Sequence, residues 1–383
     1  ILDWLELRKH GVECELPEAQ REVLESLLDF EQLKREKLPK LKATLREYQH
    51  DGYSWLAFHY RHGFGSCLAD DMGLGKTLQT IALLAAIKEG IVPPPPGTPK
   101  EPLPHLLVVP PTLIFNWQNE IKTFYPSLYV HQYTGGGRSL IGINEGVVLT
   151  TYELARRDIE KLKEKRFDCI IFDEAQAVKN VLGERARAMR QLQGNFKVVL
   201  TGTPLENHAG EYFSIIDLAL PGLLGERKEF LAMLKDTDPV FNPLNRARPF
   251  VLRRTKEKIL KELPPKVESD IHLELTDEQK KFYTRAVAEV RDEVMTAFAD
   301  KTAQQAGIVA LAALTRLRQV CVSPSLIDPE YTECSPKLGY LCAKLEELRD
   351  EGHAALVFSQ FTKALGGSGS DSVIANALGV EVD

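Results

Sequence analysis

Asp70-Asp71-Met72-Gly73-Leu74-Gly75-Lys76-Thr77 decides how this chain folds. The apolar run Ser66-Cys67-Leu68-Ala69 leads into it, and a helix-compatible run, Leu78 to Ile87, leaves it. Strand, glycine-rich turn and helix, in that order, are the context that a phosphate-binding loop needs. Glycines let successive backbone N–H groups turn inward around phosphate oxygens, and the helix N-terminus adds partial positive charge. Gly73 and Gly75 shape the turn, and Asp71, Met72 and Leu74 complete it. Lys76 is placed to reach terminal phosphates, and the Thr77 hydroxyl to hold Mg2+. One position departs from the generic G-x-x-x-x-G-K-T: where a Gly is expected five residues before Gly75, the chain has Asp70.

Outward from the loop, short apolar runs alternate with helical ones. Leu106–Val109, Val147–Thr150, Cys169–Phe172 and Lys197–Leu200 are largely free of charge, as are strands buried on both faces of a parallel sheet. Between them Asn116–Phe124, Glu153–Lys163 and Glu184–Leu192 read as helices. Alternating β and α behind a phosphate loop predicts an α/β fold with a doubly wound parallel sheet. Upstream, Asp3–Leu7 reads as a short strand. Val23, Leu24, Leu27 and Leu28 recur at helical spacing, and a further amphipathic helix runs through Tyr53, Leu56, Ala57 and Tyr60 to the stop at Gly63 and Gly65. Seven of the thirteen residues from Val92 to Pro104 are proline, so that stretch is an extended surface loop rather than helix or central strand.

After Thr203 the character changes, and residues 208–350 read as mostly helical. Thr276-Asp-Glu-Gln279 is a capping box that opens a helix with the stripe Phe282, Ala286, Val290, Val294. A second stripe is Ile308, Leu311, Leu314, Leu317. Ala354–Ser359 again has the pattern of a buried strand and is expected to begin a second α/β unit. Gly366 to Ser370 reads as a flexible linker or an artificial joining sequence.

Bulk properties narrow the function classes. The 383 residues suggest two or three domains, and 44% hydrophobic with 27% charged residues is the balance of a globular protein. No apolar run approaches the ~20 residues that span a bilayer, so no membrane partner is expected. The first residues lack the basic-then-apolar pattern of a signal peptide, which points to the cytoplasm, or the nucleus in a eukaryote. Six scattered cysteines without C-x-x-C read as buried hydrophobes rather than disulfides or zinc ligands. The net charge of −6 excludes a chain coated in positive charge, although residues 246–266 hold eight Lys/Arg against two Glu. That run borders a nucleic-acid path or is a solvated helix face; at Arg253 and Arg254 its place at the change of architecture favours a structural, coupling role.

Two further motifs carry chemistry. Ile170-Ile171-Phe172-Asp173-Glu174-Ala175-Gln176 is a buried strand ending in two carboxylates. With a phosphate loop, Asp173 is a Mg2+ ligand and Glu174 orients or deprotonates an attacking water. Leu200-Thr201-Gly202-Thr203-Pro204 ends another buried strand, and its two hydroxyls can sense phosphate and relay it.

The series LREYQHDG, DDMGLGKT, VVPPTLIFNW, VVLTTYE, DEAQ, LTGTPLEN, VLRRTK, LRQVCVSP and ALVFSQF resembles the Swi/Snf-type ATPases of helicase superfamily two, over residues 41 to about 362. DDMGLGKT is distinctive of that family and accounts for Asp70, while Gln176 in place of the common His is similar to the bacterial branch. The resemblance implies a motor of two RecA-like lobes that binds double-stranded DNA and hydrolyses ATP with Mg2+. It implies catalytic roles for Lys76, Asp173 and Glu174, an adenine contact at Gln49, and Arg46 near the nucleotide. Asp71 to Thr77 would hold the phosphates, with Gln176, Thr201 and Thr203 coupling nucleotide to DNA. Pro111, Thr112, Trp117, Thr150 and Thr151, with Arg253 and Arg254, lie in segments similar to those that border DNA. Such backbone tracking needs little base reading.

On the same footing, residues 1–40 are a preamble from a preceding domain and 41–255 a first RecA-like lobe with the start of a helical protrusion. Residues 256–352 are protrusion and linker, 353–365 the start of a second lobe, and 366–383 a tail. Nothing in 363–383 matches the family's segment bearing arginine fingers, which are worth ~10³–10⁵ in rate, so little turnover is expected from this chain alone. The expected activity is that of a duplex-DNA translocase, acting on DNA-bound proteins as a remodeller does. The alternatives are a strand-separating DNA or RNA helicase and a nucleotide-dependent binding module without turnover.

Overall fold

The computed structural model describes residues 17–28, 33–99, 101–178, 183–202, 209–234, 244–259, 268–300 and 302–365. The expected strand Asp3–Leu7, Thr203 and the stretch Gly366 to Ser370 lie outside them. The chain divides between Pro264 and Pro265 into two units.

The first unit runs α1 (Glu18–Leu28), α2 (Glu47–Arg61), β1 (Ser66–Leu68), α3 (Lys76–Lys88), β2 (His105–Val109), α4 (Ile114–Phe124), β3 (Val130–Gln132) and β4 (Val147–Thr151). It continues through α5 (Tyr152–Arg157), α6 (Ile159–Glu164), β5 (Arg166–Phe172), α7 (Glu184–Arg190), β6 (Gln193–Leu200), α8 (Ala209–Ala219), α9 (Arg227–Met233), α10 (Leu244–Ala247), β7 (Val251–Leu252) and α11 (Lys256–Ile259). Among the described residues seven strands form one sheet in the order β3-β4-β2-β5-β6-β1-β7, and every neighbouring pair is parallel. The doubly wound sheet is therefore present. The edge strands β3 and β7 carry too little apolar pattern to be seen in the sequence.

Parallel strands need crossovers, and helical crossovers cover both faces. Every residue of β2 and β4 is buried. Side chains alternate with the pleat. Leu106 and Val108 join Phe172, Val199 and Ile216 on one face, while Leu107 and Val109 join Trp55, Leu83 and Val198 on the other. Helix α2 lays Tyr53, Trp55 and Leu56 into that second face. The Tyr60 hydroxyl donates to Asp168 Oδ2 at 2.9 Å, anchoring α2 to β5.

Register fixes where the polar chain emerges. Phe172 lies beside Val199, and Leu68 beside Leu200. The carboxyl ends of β5, β6 and β1 are thus level and adjacent, which places Asp173–Glu174, Thr201–Gly202 and the phosphate loop side by side. At the amino ends of the strands, the proline-rich segment covers a cavity of about 510 Å³ with His105 and Asp168 among its walls.

In the second unit, α12 (Asp277–Asp300), α13 (Ala303–Val322), α14 (Pro336–Asp350) and α15 (Thr362–Leu365) follow one another. The capping box forms its first half, with Gln279 N donating to Thr276 Oγ1 at 3.1 Å. On α12 the expected face is buried at Ala286 and Val290. On α13 the expectation fails. Ile308, Leu311 and Leu314 are exposed, and the buried face is Ala306, Ala313 and Val320. Small residues let neighbouring helices approach closely, so the alanines take the contact. Residues 354–359 form no strand, and Leu356 and Phe358 are 86% and 88% exposed. A strand is defined by its ladder, and no described residue pairs with this one.

Gly65, just before β1, sits where a β-carbon would collide with the backbone carbonyl of Ala219 at the end of α8. Backbone cannot yield as a flexible side chain can. Gly65→Ala is therefore expected to cost about 1–3 kcal/mol, read as a lower urea midpoint; an unchanged midpoint would contradict this packing.

Candidate nucleotide site at three strand ends

The loop after β1 is built on two left-handed glycines. Gly73 and Gly75 have φ of 84° and 75°, a region open to glycine at little cost. Gly75 also serves as N-cap of α3, so Lys76 and Thr77 occupy its first turn. A β-carbon on Gly75 would collide with Nε2 of Gln49. That amide donates to Leu74 O at 3.4 Å, while its Oε1 accepts from Arg46 N at 2.9 Å at the start of α2. Gln49 is thus held against the loop. Arg46 is exposed nearby.

Lys76 is 9% exposed, and its ammonium donates to Asp70 O at 2.7 Å and Asp71 O at 3.3 Å. Burial pulls its pKa down, against the carboxylates of Glu174, Asp70, Asp173 and Asp71, which pull it up. The chain leaving β6 comes just as close: a β-carbon at Gly202 would lie 3.4 Å from Lys76 Nζ. Met72 caps this side and is 56% exposed.

Asp173 and Glu174 leave β5, the strand beyond β6. Asp173 is buried; its Oδ2 accepts from Trp117 Nε1 at 2.7 Å and its Oδ1 from Glu174 N at 2.9 Å. Burial raises its pKa, and the Trp117 hydrogen bond opposes that rise. Glu174 has φ of 48°, the one positive value at a non-glycine among the described residues. Strain of that kind costs about 1–3 kcal/mol and collects at functional sites. Tyr152 steadies the turn by donating its hydroxyl to Asp173 O at 2.7 Å. Gln176, in the short helix Ala175–Val178, donates Nε2 to Glu174 Oε2, and Thr201 Oγ1 donates to Gln176 Oε1 at 3.3 Å. A polar chain therefore runs Glu174–Gln176–Thr201 from the end of β5 to the end of β6.

Thr77, in the first turn of α3, and Asp173, at the end of β5, offer a hydroxyl and a carboxylate. Hard oxygen donors beside a phosphate cradle fit magnesium.

The residues expected to border DNA separate into two groups. Pro111 and Thr112 are exposed in the turn Pro111–Leu113 after β2, and Arg253 is partly exposed. The side chains of the other four are taken up within the fold, Arg254 in the structural role that its place at the change of architecture favours. Trp117 and Thr150 are fully buried, so neither side chain is open to DNA. Trp117 serves Asp173 instead. Thr150 Oγ1 donates to Tyr133 O at 3.0 Å, and Thr151 Oγ1 caps α5 by accepting from Leu154 N at 3.2 Å. Arg254 is spent on Asp70, whose carboxylate is fully buried. Aromatic and hydroxyl side chains next to a strand end look the same in sequence whether they face outward or back into the fold. Tyr152 and Gln79, which also belong to the site, carried no sequence signal. Gln79 Nε2 donates to Leu74 O at 3.2 Å and Gly75 O at 3.3 Å.

Three comparisons bear on this arrangement. The family model of the SNF2-related domain matches residues 48–326. The Bacillus subtilis protein YwqA, named provisionally as an ATP-dependent helicase/translocase, is 36% identical over 372 residues, covering 92% of this chain and 39% of that protein. The Saccharomyces cerevisiae TATA-binding protein-associated factor MOT1 is 30% identical over 354 residues, covering 85% of this chain and 19% of MOT1. The chain thus spans well under half the length of either relative. Among solved structures, the Sulfolobus solfataricus SWI2/SNF2 ATPase core in complex with dsDNA superposes with a TM-score of 0.55 at 34% identity, covering 86% of this chain and 70% of that one.

The Trp117 bond makes a pH-dependent prediction. Its N–H favours the charged form of Asp173, so Trp117→Phe raises the Asp173 pKa further. A hydrogen bond to a charged group is worth about 1.5–3 kcal/mol, so the acid limb of Mg2+-nucleotide affinity is expected to move up by about one to two pH units. Titrations per folded molecule across pH check this; an unmoved acid limb would contradict it.

Proposed function

The chain belongs to the SNF2-related family, and from that premise we propose that it is the nucleotide-binding part of an ATP-hydrolysing motor that translocates on duplex DNA. The observation that carries this reading is the meeting of Lys76, Asp173–Glu174 and the Gln176–Thr201 pair at three adjacent strand ends. Phosphoryl transfer asks little covalent chemistry of a protein; it asks for placed charge. The loop amides and the start of α3 receive the phosphates. Lys76 gives up its bonds to Asp70 O and Asp71 O and neutralises the terminal phosphate. Thr77 and Asp173 would hold Mg2+, which supplies charge neutralisation across the phosphates. Glu174 sits one residue beyond Asp173 and takes the proton of the attacking water or orients it. Its hydrogen bond to Gln176 ties that carboxylate to Thr201, so a change at the phosphate reaches the end of β6. Thr203, the other hydroxyl expected to couple nucleotide to DNA, lies outside the described residues.

Duplex DNA as the track is supported by the kinship to an ATPase core solved with dsDNA, and a DNA-bound protein as cargo by the kinship to MOT1. The exposed Pro111 and Thr112 and the partly exposed Arg253 are the residues we assign to the DNA side. No helix among the described residues is long and apolar enough to cross a membrane.

The test is ATPase activity of the intact protein with duplex or single-stranded DNA added. Stimulation by duplex is expected, with Lys76→Ala losing nucleotide binding and Glu174→Gln keeping binding while losing at least ~10²-fold in rate, the scale of general-base catalysis. Greater stimulation by single strands would favour a strand-separating helicase. An unaltered rate in Glu174→Gln would favour a binding module without turnover.

A further inference from the structure

Asp70 and Arg254 stand 184 residues apart in the chain, yet all three guanidinium nitrogens of Arg254 donate within the nucleotide site. Arg254 Nε donates to Asp70 Oδ1 at 3.0 Å, and Nη2 donates to Asp70 Oδ2. Nη2 also donates to Gln79 Oε1 at 2.8 Å, and Nη1 to Tyr48 O. The guanidinium carbon lies 5.5 Å from the centre of the Tyr48 ring. The Asp70 carboxylate is fully buried and the Arg254 side chain 12% exposed.

The backbone repeats the connection. Ala69 N donates to Leu252 O at 2.8 Å and Asp71 N to Arg254 O at 3.0 Å, which carries the β1–β7 pairing into the loop. Arg254 N donates to Asp70 Oδ1 at 3.1 Å, and Lys256 N to Asp71 Oδ2 at 3.0 Å. Gly52 adds an independent sign. It lies inside α2, where glycine is costly. A β-carbon there would collide with Gln79 Oε1 and come within 2.6 Å of Arg254 Nη2.

These contacts have one consequence for the loop. An amide side chain offers an acceptor at one end and donors at the other. Arg254 occupies the acceptor of Gln79, so the Gln79 donors must face Leu74 O and Gly75 O, the two carbonyls just before Lys76. The other donor to Leu74 O is Gln49, the neighbour of Tyr48. One guanidinium therefore sets the base of the loop through Asp70, its crest through Gln79, and the start of α2 through Tyr48.

We propose that Arg254 is a positioning residue of the nucleotide site, acting through Asp70 and Gln79 to hold the phosphate loop and Gln49 in register. This rests on the nucleotide reading above and adds to it a residue outside the loop. The first position of the loop is Asp rather than Gly because it must anchor this arginine, and Lys cannot replace a planar fork that bonds three partners at once.

The chain is titrated with the fluorescent diphosphate mant-ADP, with its urea midpoint measured in parallel. Arg254→Lys and Asp70→Asn are each expected to weaken binding by about tenfold or more per folded molecule, the scale of one lost hydrogen bond to a charge. The double variant Asp70→Asn with Arg254→Gln removes both charges and keeps a hydrogen-bonding pair, and is expected to recover much of the affinity. Gln79→Leu leaves the ion pair intact and serves where the charge variants fail to fold; it too is expected to weaken binding. Wild-type affinity in all of the folded variants, with only the midpoint lowered, would overturn the positioning role and leave the nucleotide reading standing. Failure of the wild-type chain to bind mant-ADP would overturn both.

Discussion

A parallel sheet buried on both faces leaves its polar backbone two places to reach ligand or solvent: the two ends of its strands. That constraint organises the first unit. The residues of β2, β4 and most of β5 are spent on packing, so chemistry is confined to the turns that leave them. Strand order then decides which turns meet. With β5, β6 and β1 adjacent, three segments that lie between Asp70 and Gly202 in the sequence share one small volume. Their proximity follows from topology, and no local propensity encodes it.

Charge in that volume is costly and is held by few partners. Asp70 is sealed under the loop by one arginine, Asp173 by one indole and one backbone amide, and Lys76 by two carbonyls. The three solutions differ in permanence. The Asp70–Arg254 pair is built of charge-assisted bonds with fork geometry and is buried, so it belongs to the scaffold. The Lys76 bonds to neutral carbonyls are weaker and exchangeable, which suits a cation that has to change partner. Asp173 lies between the two: its carboxylate is fixed, but burial lifts its pKa. A cation at Asp173 would offset that burial.

The fold's centre was legible in the sequence because burial on two faces writes itself as short, charge-free, β-branched runs. The phosphate loop and the two carboxylates were legible for a similar reason: their residue types have few other uses at those spacings. Other features were not legible, each for a physical cause. The edge strands β3 and β7 are short and gain their structure from a neighbour. Trp117 and Thr150 are typical of a DNA-facing turn, but their direction depends on packing that sequence does not show. Arg254 was legible as structural from its place at the change of architecture, but its partner, 184 residues away, was not. Ile308, Leu311 and Leu314 have helical periodicity, yet Ala306 and Ala313 win the contact because close approach favours small side chains. Leu356 and Phe358 have the composition of a strand without a strand beside them.

The central claim is that one nucleotide is held jointly by the loop after β1 and the carboxylates after β5. A crystal structure of the chain with Mg2+ and a non-hydrolysable ATP analogue tests it most directly. The account predicts the phosphates within the loop Asp71–Thr77, Lys76 turned from Asp70 O toward them, and Mg2+ between Thr77 and Asp173. Nucleotide seated elsewhere, as in the cavity beneath the proline-rich segment beside His105 and Asp168, would contradict it.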